Sequence, residues 1–241
     1  MFYTRIPVPQ NTGFSEYNLN RATKYFPLIG IIVGSFGAVC YFLTAIILPL
    51  ELSVFFSMIT TILLTGAFHE DGFADFCDGF GGGYSKIQIL TIMKDSRIGT
   101  YGAIGLLMIL LGKFFSLIAI NPAQIPFVII AAHVFSRILP VLFIFISNHV
   151  GNSSTSKSKP IGMQCLWSDL LIAGIFSVIP LIFIQWQVNL LVILVAIVLF
   201  YTFKSFVVKQ IEGYTGDVLG ALQQLTEFSF YICFIIVQNN F

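Results

Sequence analysis

The 241-residue chain is 57% hydrophobic and 10% charged, with a formal net charge of +1 and a mean hydropathy of +0.91. Soluble domains carry about 25% charged residues, so the composition excludes a soluble globular domain and points to an all-α, polytopic integral membrane protein. The near-zero charge gives no reason to expect nucleic-acid binding, and Cys40, Cys77, Cys165 and Cys233 lack the spacing of a disulfide framework or a zinc site.

The first 25 residues are polar, and Pro7 and Pro9 forbid a regular helix across them. They read as an interfacial or re-entrant cytoplasmic segment, in which Arg5 is available to an anion or serves as a membrane anchor. About seven apolar segments follow, near 26–48, 53–69, 100–120, 125–147, 168–185, 188–206 and 218–238, each close to the ~20 residues that span a bilayer. Lys and Arg fall in the N-terminal segment and in alternate loops, at Lys86, Lys94, Arg97, Lys157, Lys159, Lys204 and Lys209, while the loops near Pro49, Pro122 and Gln187 carry none. By the positive-inside rule the basic set is cytoplasmic, as is the N-terminus. The whole of 1–241 is expected to form a single membrane domain.

The 53–69 span is short and is expected to run on into the stretch Gly66–Gly99, which holds five of the eleven acidic residues, Glu70, Asp71, Asp75, Asp78 and Asp95. Asp71, Asp75 and Asp78 stand at i, i+4 and i+7, one face of a helix. Three like charges there repel one another and resist leaving water, so a divalent cation such as Mg²⁺, which prefers hard oxygen ligands, is the simplest compensation. The plain alternative is a solvated face. Gly79, Gly81, Gly82 and Gly83 are expected to end this helix in a mobile loop, which either wraps a phosphate or merely connects. Lys94 and Arg97 beside the acids suit a polyphosphate ligand.

Lys113 and Arg137 are the basic residues inside apolar spans and must face protein, water or a ligand. Arg137 is expected to reach the same polar cavity as the acids; Lys113 reads equally as a structural pair. His69 adjoins Glu70 and Asp71 and is a candidate contact to substrate or behind the metal ligands. His133, one turn before Arg137, reads as a satisfied core histidine. The Ser-rich loop 148–164 is a lid or a linker. A second polar motif, 212–221, is expected on the same side of the membrane as the first. In it Thr215, Gly216 and Asp217 open the last helix, with Asp217 either an N-cap or a metal or nucleophile contact. Glu227 has no evident partner in the sequence.

Four motifs now bear on one family: TRIPVP at Thr4–Pro9, GAFHEDGFADFCDG at Gly66–Gly79, IMKDSRIGTYG at Ile92–Gly102 and GYTGDVLGA at Gly213–Ala221. In their order and spacing the chain resembles cobalamin synthase, the adenosylcobinamide-GDP ribazoletransferase family. It starts about ten residues later than is usual there, so part of an N-terminal helix is expected to be missing. The resemblance implies a multi-pass, Mg²⁺-dependent enzyme of the cell inner membrane with its active site facing the cytoplasm. Its substrates would be adenosylcobinamide-GDP and α-ribazole or α-ribazole 5′-phosphate, joined with loss of GMP. It also admits a homo-oligomer or association with other nucleotide-loop enzymes. For such chemistry Glu70, Asp71, Asp75 and Asp78 are the metal candidates. Asp217 or Asp95 would complete the shell or accept a proton, with Asp75 and Asp78 catalytic. Lys94, Arg97, Arg5, Arg137, His69 and Thr215 are the candidate substrate contacts.

Two alternatives use the same acids. A CDP-alcohol phosphotransferase-like phospholipid enzyme would need D-x-x-D-G-x-x-A-R, of which Asp75-Phe76-Cys77-Asp78-Gly79 gives only the start. An ion-coupled transporter would place its acids near mid-membrane on broken helices, without a basic loop adjoining them.

Overall fold

The computed structural model describes residues 4–7, 21–150 and 165–240. The greater part of the N-terminal segment and of the Ser-rich loop, with Pro9, Lys157 and Lys159, lies outside these residues. After a 3₁₀ turn at Ala22–Tyr25 the helices are α1 (Phe26–Thr44), α2 (Leu50–Thr65), α3 (Phe68–Gly82), α4 (Lys86–Ile92), α5 (Thr100–Ile118), α6 (Ile125–Phe135), α7 (Ile138–Ile146), α8 (Trp167–Val178), α9 (Trp186–Ile211) and α10 (Gly216–Asn240). The fold is all-α as expected; the described residues show pairing of the strand kind only at His149 and Tyr214.

Five helical units among the described residues are long and apolar enough to cross a membrane, with α6 and α7 counting together as one. A sixth is added if α2 and α3 form one bent span. The fifth expected segment, 168–185, is shorter, because Pro180 cannot donate an i→i−4 hydrogen bond: α8 stops at Val178 and a 3₁₀ turn, Ile179–Phe183, completes it. The break between α6 and α7 has the same origin, one turn before Pro140.

The second expected span does not carry the acids on its end as a continuous helix. It stops at Thr65, and α3 leaves it at an angle of 86°. Gly66 and Ala67 both take left-handed backbone, with φ of 69° and 58°. Ala67 N–H donates to Ile62 O at 2.9 Å and Gly66 N–H to Leu63 O at 3.1 Å, which closes the helix end in the manner glycine permits. The glycine run does not end α3 where expected either. The helix continues through Gly82, and only Gly83 is extended. Gly79 packs on Met93, and Gly81 lies under the Tyr101 ring.

Apolar side chains fill the core and also cover the outside. Leu107, Leu111 and Phe115 of α5 and Leu190, Leu194 and Ile197 of α9 face outward, where hydrocarbon solvates them. The centre is α10, which packs against α3, α5, α6 and α9 and turns Gln223, Gln224, Glu227 and Tyr231 inward, all buried. On the other side α1 meets α6 at Gly30 and Gly34. A Cβ at Gly34 would stand 2.8 Å from Ile130 Cα, so small residues at i and i+4 let the two backbones touch.

Candidate active site

The site forms where α3 crosses the first turn of α10. A Cβ on Gly72 would lie 3.0 Å from Asp217 Cα, and one on Gly220 would lie 3.5 Å from Gly72 Cα. The backbones therefore meet without side chains between them. Asp217 is thus delivered beside the acids of α3, although it lies 142 positions beyond Asp75 in the chain. Asp71 is exposed, and Asp75 and Asp217 are half-buried. Asp75 lies within electrostatic range of Asp217, Asp71 and Asp78, and Asp217 within range of Asp71. Among the described residues none of Asp71, Asp75 and Asp217 is in an ion pair.

Asp217 is not the N-cap of α10. Thr215 holds that position: its Oγ1 accepts the Val218 N–H at 3.3 Å and lies 3.5 Å from Asp217 Oδ2. The segment leading to it is fixed by backbone pairing. Tyr214 N–H donates to Asn148 O at 3.0 Å, and Val150 N–H donates to Tyr214 O at 2.8 Å. The start of the Ser-rich stretch thereby props up the second motif.

Asp78 continues the Asp71–Asp75 face but has other work. It is buried, and its two oxygens accept the N–H groups of Gly99 at 2.7 Å and Gly102 at 2.8 Å. The carboxylate caps the N-terminus of α5, where the exposed N–H groups and the helix dipole favour an anion. Gly99 and Gly102 each lie so close to it that a Cβ at either position would overlap the carboxylate. The motif Ile92–Gly102 is thereby tied to α3.

Glu70 turns the other way. It is buried, and Gln224 Nε2 of α10 donates to its Oε1 at 3.0 Å. It thus belongs to a polar network inside the helix bundle. Lys113 Nζ stands 2.9 Å from Glu227 Oε1 and 2.5 Å from Gln224 Oε1. Glu227 also receives Gln223 Nε2 at 2.7 Å and the Tyr231 hydroxyl at 3.1 Å, and His133 Nδ1 lies 3.5 Å from it. Gln223 reaches Ser136 Oγ at 2.9 Å. Arg137, fully buried at the α6–α7 break, donates to His133 O, lies 3.4 Å from His69 Nε2 and stacks over Phe26. Arg137 and His69 therefore meet this interior network and not the Asp71–Asp75–Asp217 surface expected of them.

The remaining candidates lie at the periphery. Lys94 is exposed. Arg97 is exposed too and grips Asp95, with Nη2 to Oδ2 at 2.6 Å and its own N–H to Oδ1 at 3.1 Å. These bonds hold the Asp95 carboxyl below the usual carboxylate range, which makes it a poor proton acceptor. Arg5 lies across the α2–α3 bend, its guanidinium against Gly66 and its N–H on Leu64 O at 2.8 Å.

Among the described residues no three His, Cys, Asp or Glu side chains are gathered tightly enough to ligate one ion as they stand. The donors at the crossing are nevertheless hard carboxylate oxygens, the chemistry Mg²⁺ selects. Sequence reasoning missed Gln223, Gln224, Ser136 and Tyr231. The available signal was the run of polar residues 223, 224 and 227 on an apolar span, at one helical face.

A family model described as cobalamin-5-phosphate synthase matches residues 1–235. The chain is 44% identical to an adenosylcobinamide-GDP ribazoletransferase of Ralstonia pickettii, over 94% of this chain and 89% of that one. It is 41% identical to one from Shewanella oneidensis, over 98% and 91%, and 38% identical to one from Vibrio cholerae, over 96% and 89%. No solved structure matches it. A family match across nearly the whole chain, carried by relatives of similar length, decides the assignment: this membrane protein belongs to the cobalamin-5-phosphate synthase family.

Proposed function

We propose that the protein joins adenosylcobinamide-GDP to α-ribazole, or to its 5′-phosphate, with release of GMP, and that it needs Mg²⁺ to do so. The observation that carries the reading is the α3–α10 crossing, where Gly72 lets Asp217 approach Asp71 and Asp75. In this reaction a ribose hydroxyl oxygen of the ribazole, one other than the 5′ oxygen that carries phosphate in the second acceptor, attacks the phosphorus that carries the cobinamide. The P–O–P bond to GMP breaks and the hydroxyl proton leaves. Such transfers depend on positioning and on neutralising phosphate charge.

Asp71, Asp75 and Asp217 would hold the metal, and Mg²⁺ when bound supplies Lewis-acid stabilisation of the diphosphate oxygens. Asp217, on the opposite helix from Asp71 and Asp75, is the better placed proton acceptor, since Asp95 is held by Arg97. Lys94 and Arg97 would bind phosphate oxygens from the exposed loop before α5, with Arg5 at the bend as an outer contact. Asp78 contributes by holding that loop to α3. The basic residues beside the acids favour a cytoplasmic face at the cell inner membrane. Neither the phospholipid-enzyme nor the transporter alternative has support among the relatives described above.

The test is turnover by purified protein in liposomes supplied with adenosylcobinamide-GDP, α-ribazole and Mg²⁺, with EDTA as control and both GMP and corrinoid product followed. Wild-type protein should form both, and EDTA should abolish them. Asp75→Asn should remain folded and lose about 100-fold or more in rate; near-normal turnover would remove Asp75 from the metal site.

A further inference from the structure

The α3–α10 crossing is closest at two glycines. Gly72 and Gly220 let the backbones touch, and at that point no side chains interlock to fix how one helix is rotated on the other. Among the described residues, the direct side-chain hydrogen bond between the two helices is Gln224 Nε2 to Glu70 Oε1, at 3.0 Å. Gln224 is itself held in place from a third helix by Lys113, and from its neighbour Gln223, whose oxygen it reaches at 3.0 Å.

Glu70 precedes Asp71 directly, and successive residues on an α-helix point about 100° apart. Asp71 is exposed while Glu70 is buried. The Oε2 of Glu70 has no protein partner and lies within the helix bundle beside a cavity of about 20 Å³, which Lys113, Glu227 and Tyr231 also line. A space of that size holds about one water. Both Glu70 oxygens are thus committed to the interior.

From this we infer that Glu70 is a positioning residue and not a metal ligand: with Gln224 it sets the rotation of α3 against α10, and so where Asp71, Asp75 and Asp217 meet. The inference rests on the reading that those three carboxylates hold the metal. Sites of this kind must be held to within about 0.5 Å, so a lost tie should be felt as weaker metal binding before it is felt as lost fold.

The test measures Mn²⁺ binding to detergent-purified protein by the loss of the free-ion EPR signal, with no substrate present. Glu70→Leu and Gln224→Leu should each weaken Mn²⁺ binding about tenfold, the range for residues that orient metal ligands. The double variant should be no weaker than either single one, because both remove the same tie. Glu70→Gln keeps an acceptor oxygen for Gln224 and should stay within about twofold of wild type. Should Glu70→Leu fail to fold, Gln224→Met against Glu70→Gln makes the same comparison. If Glu70→Gln binds as weakly as Glu70→Leu, Glu70 is a ligand and the inference fails. It also fails if every variant binds Mn²⁺ like wild type while melting earlier, since the tie would then be purely structural. Absence of Mn²⁺ binding by wild-type protein would instead overturn the metal reading, and this inference with it.

Discussion

Glu227 illustrates how a single residue changes meaning once its neighbours are known. In sequence it is an acid in an apolar span with no evident partner; in the fold it receives Lys113, Gln223 and Tyr231 and faces His133. Removing one member of a buried pair strands the other charge, at a cost of about 3–5 kcal/mol. Lys113→Met should therefore lower thermal stability by that order. Adding Glu227→Gln should recover part of the loss, because the remaining group is then neutral. A double variant that melts below Lys113→Met would show that the pair is not what holds this region. Asp95 gives the opposite case, exposed and held by Arg97. Its folded carboxyl titrates below the ordinary value of about 4, so the tie is present above that pH and is lost as pH falls through the lowered value. Asp95→Asn should accordingly leave any rise of the rate near neutral pH where it is, as a pH–rate profile of the variant would report.

At the scale of elements, the bend between α2 and α3 and the crossing of α3 with α10 set the site. Gly66 sits at φ 69° with the Arg5 guanidinium against it, a backbone region where a Cβ costs roughly 1 kcal/mol. Gly72 is limited instead by space, since its Cβ would face the Asp217 backbone at 3.0–3.2 Å. Gly72→Val should force the helices apart and separate Asp217 from Asp75. Turnover should drop far more than the melting temperature; equal loss of both would mean that the crossing serves stability alone. The same logic applies at α1 and α6, with no acids involved. Gly34→Leu should prevent stable packing, read as loss of monodisperse protein after detergent extraction.

Over the whole molecule, a buried polar network lies within an apolar core, and apolar side chains also cover the outer faces of α5 and α9, where a bilayer would receive them. The catalytic candidates lie at a bend and a helix start, where backbone N–H groups and carboxylates meet water or ligand. Lys86 ties the α3–α5 connection to Glu212, the first residue of the second motif, through a 2.5 Å bond. The two polar motifs therefore lie at one end of the helix bundle. Tyr84 is 93% exposed, so Tyr84→Cys should be labelled by an impermeant maleimide in inside-out vesicles and protected in right-side-out ones. The reverse pattern would reject the cytoplasmic assignment.

Composition alone determined the class, because a chain this apolar has no stable soluble state. The four motifs pointed to the family, and the i, i+4 spacing put Asp71 and Asp75 on one face. What the chain could not decide from local pattern was which acid faces which partner. Asp78 is one turn from Asp75 and caps α5; Glu70 is one residue from Asp71 and turns into the bundle. Periodicity gives the direction of a side chain relative to its own helix. It does not say where the neighbouring helix stands, and here that was set by left-handed backbone at Gly66 and Ala67 and by a glycine contact between segments 148 residues apart, Gly72 and Gly220.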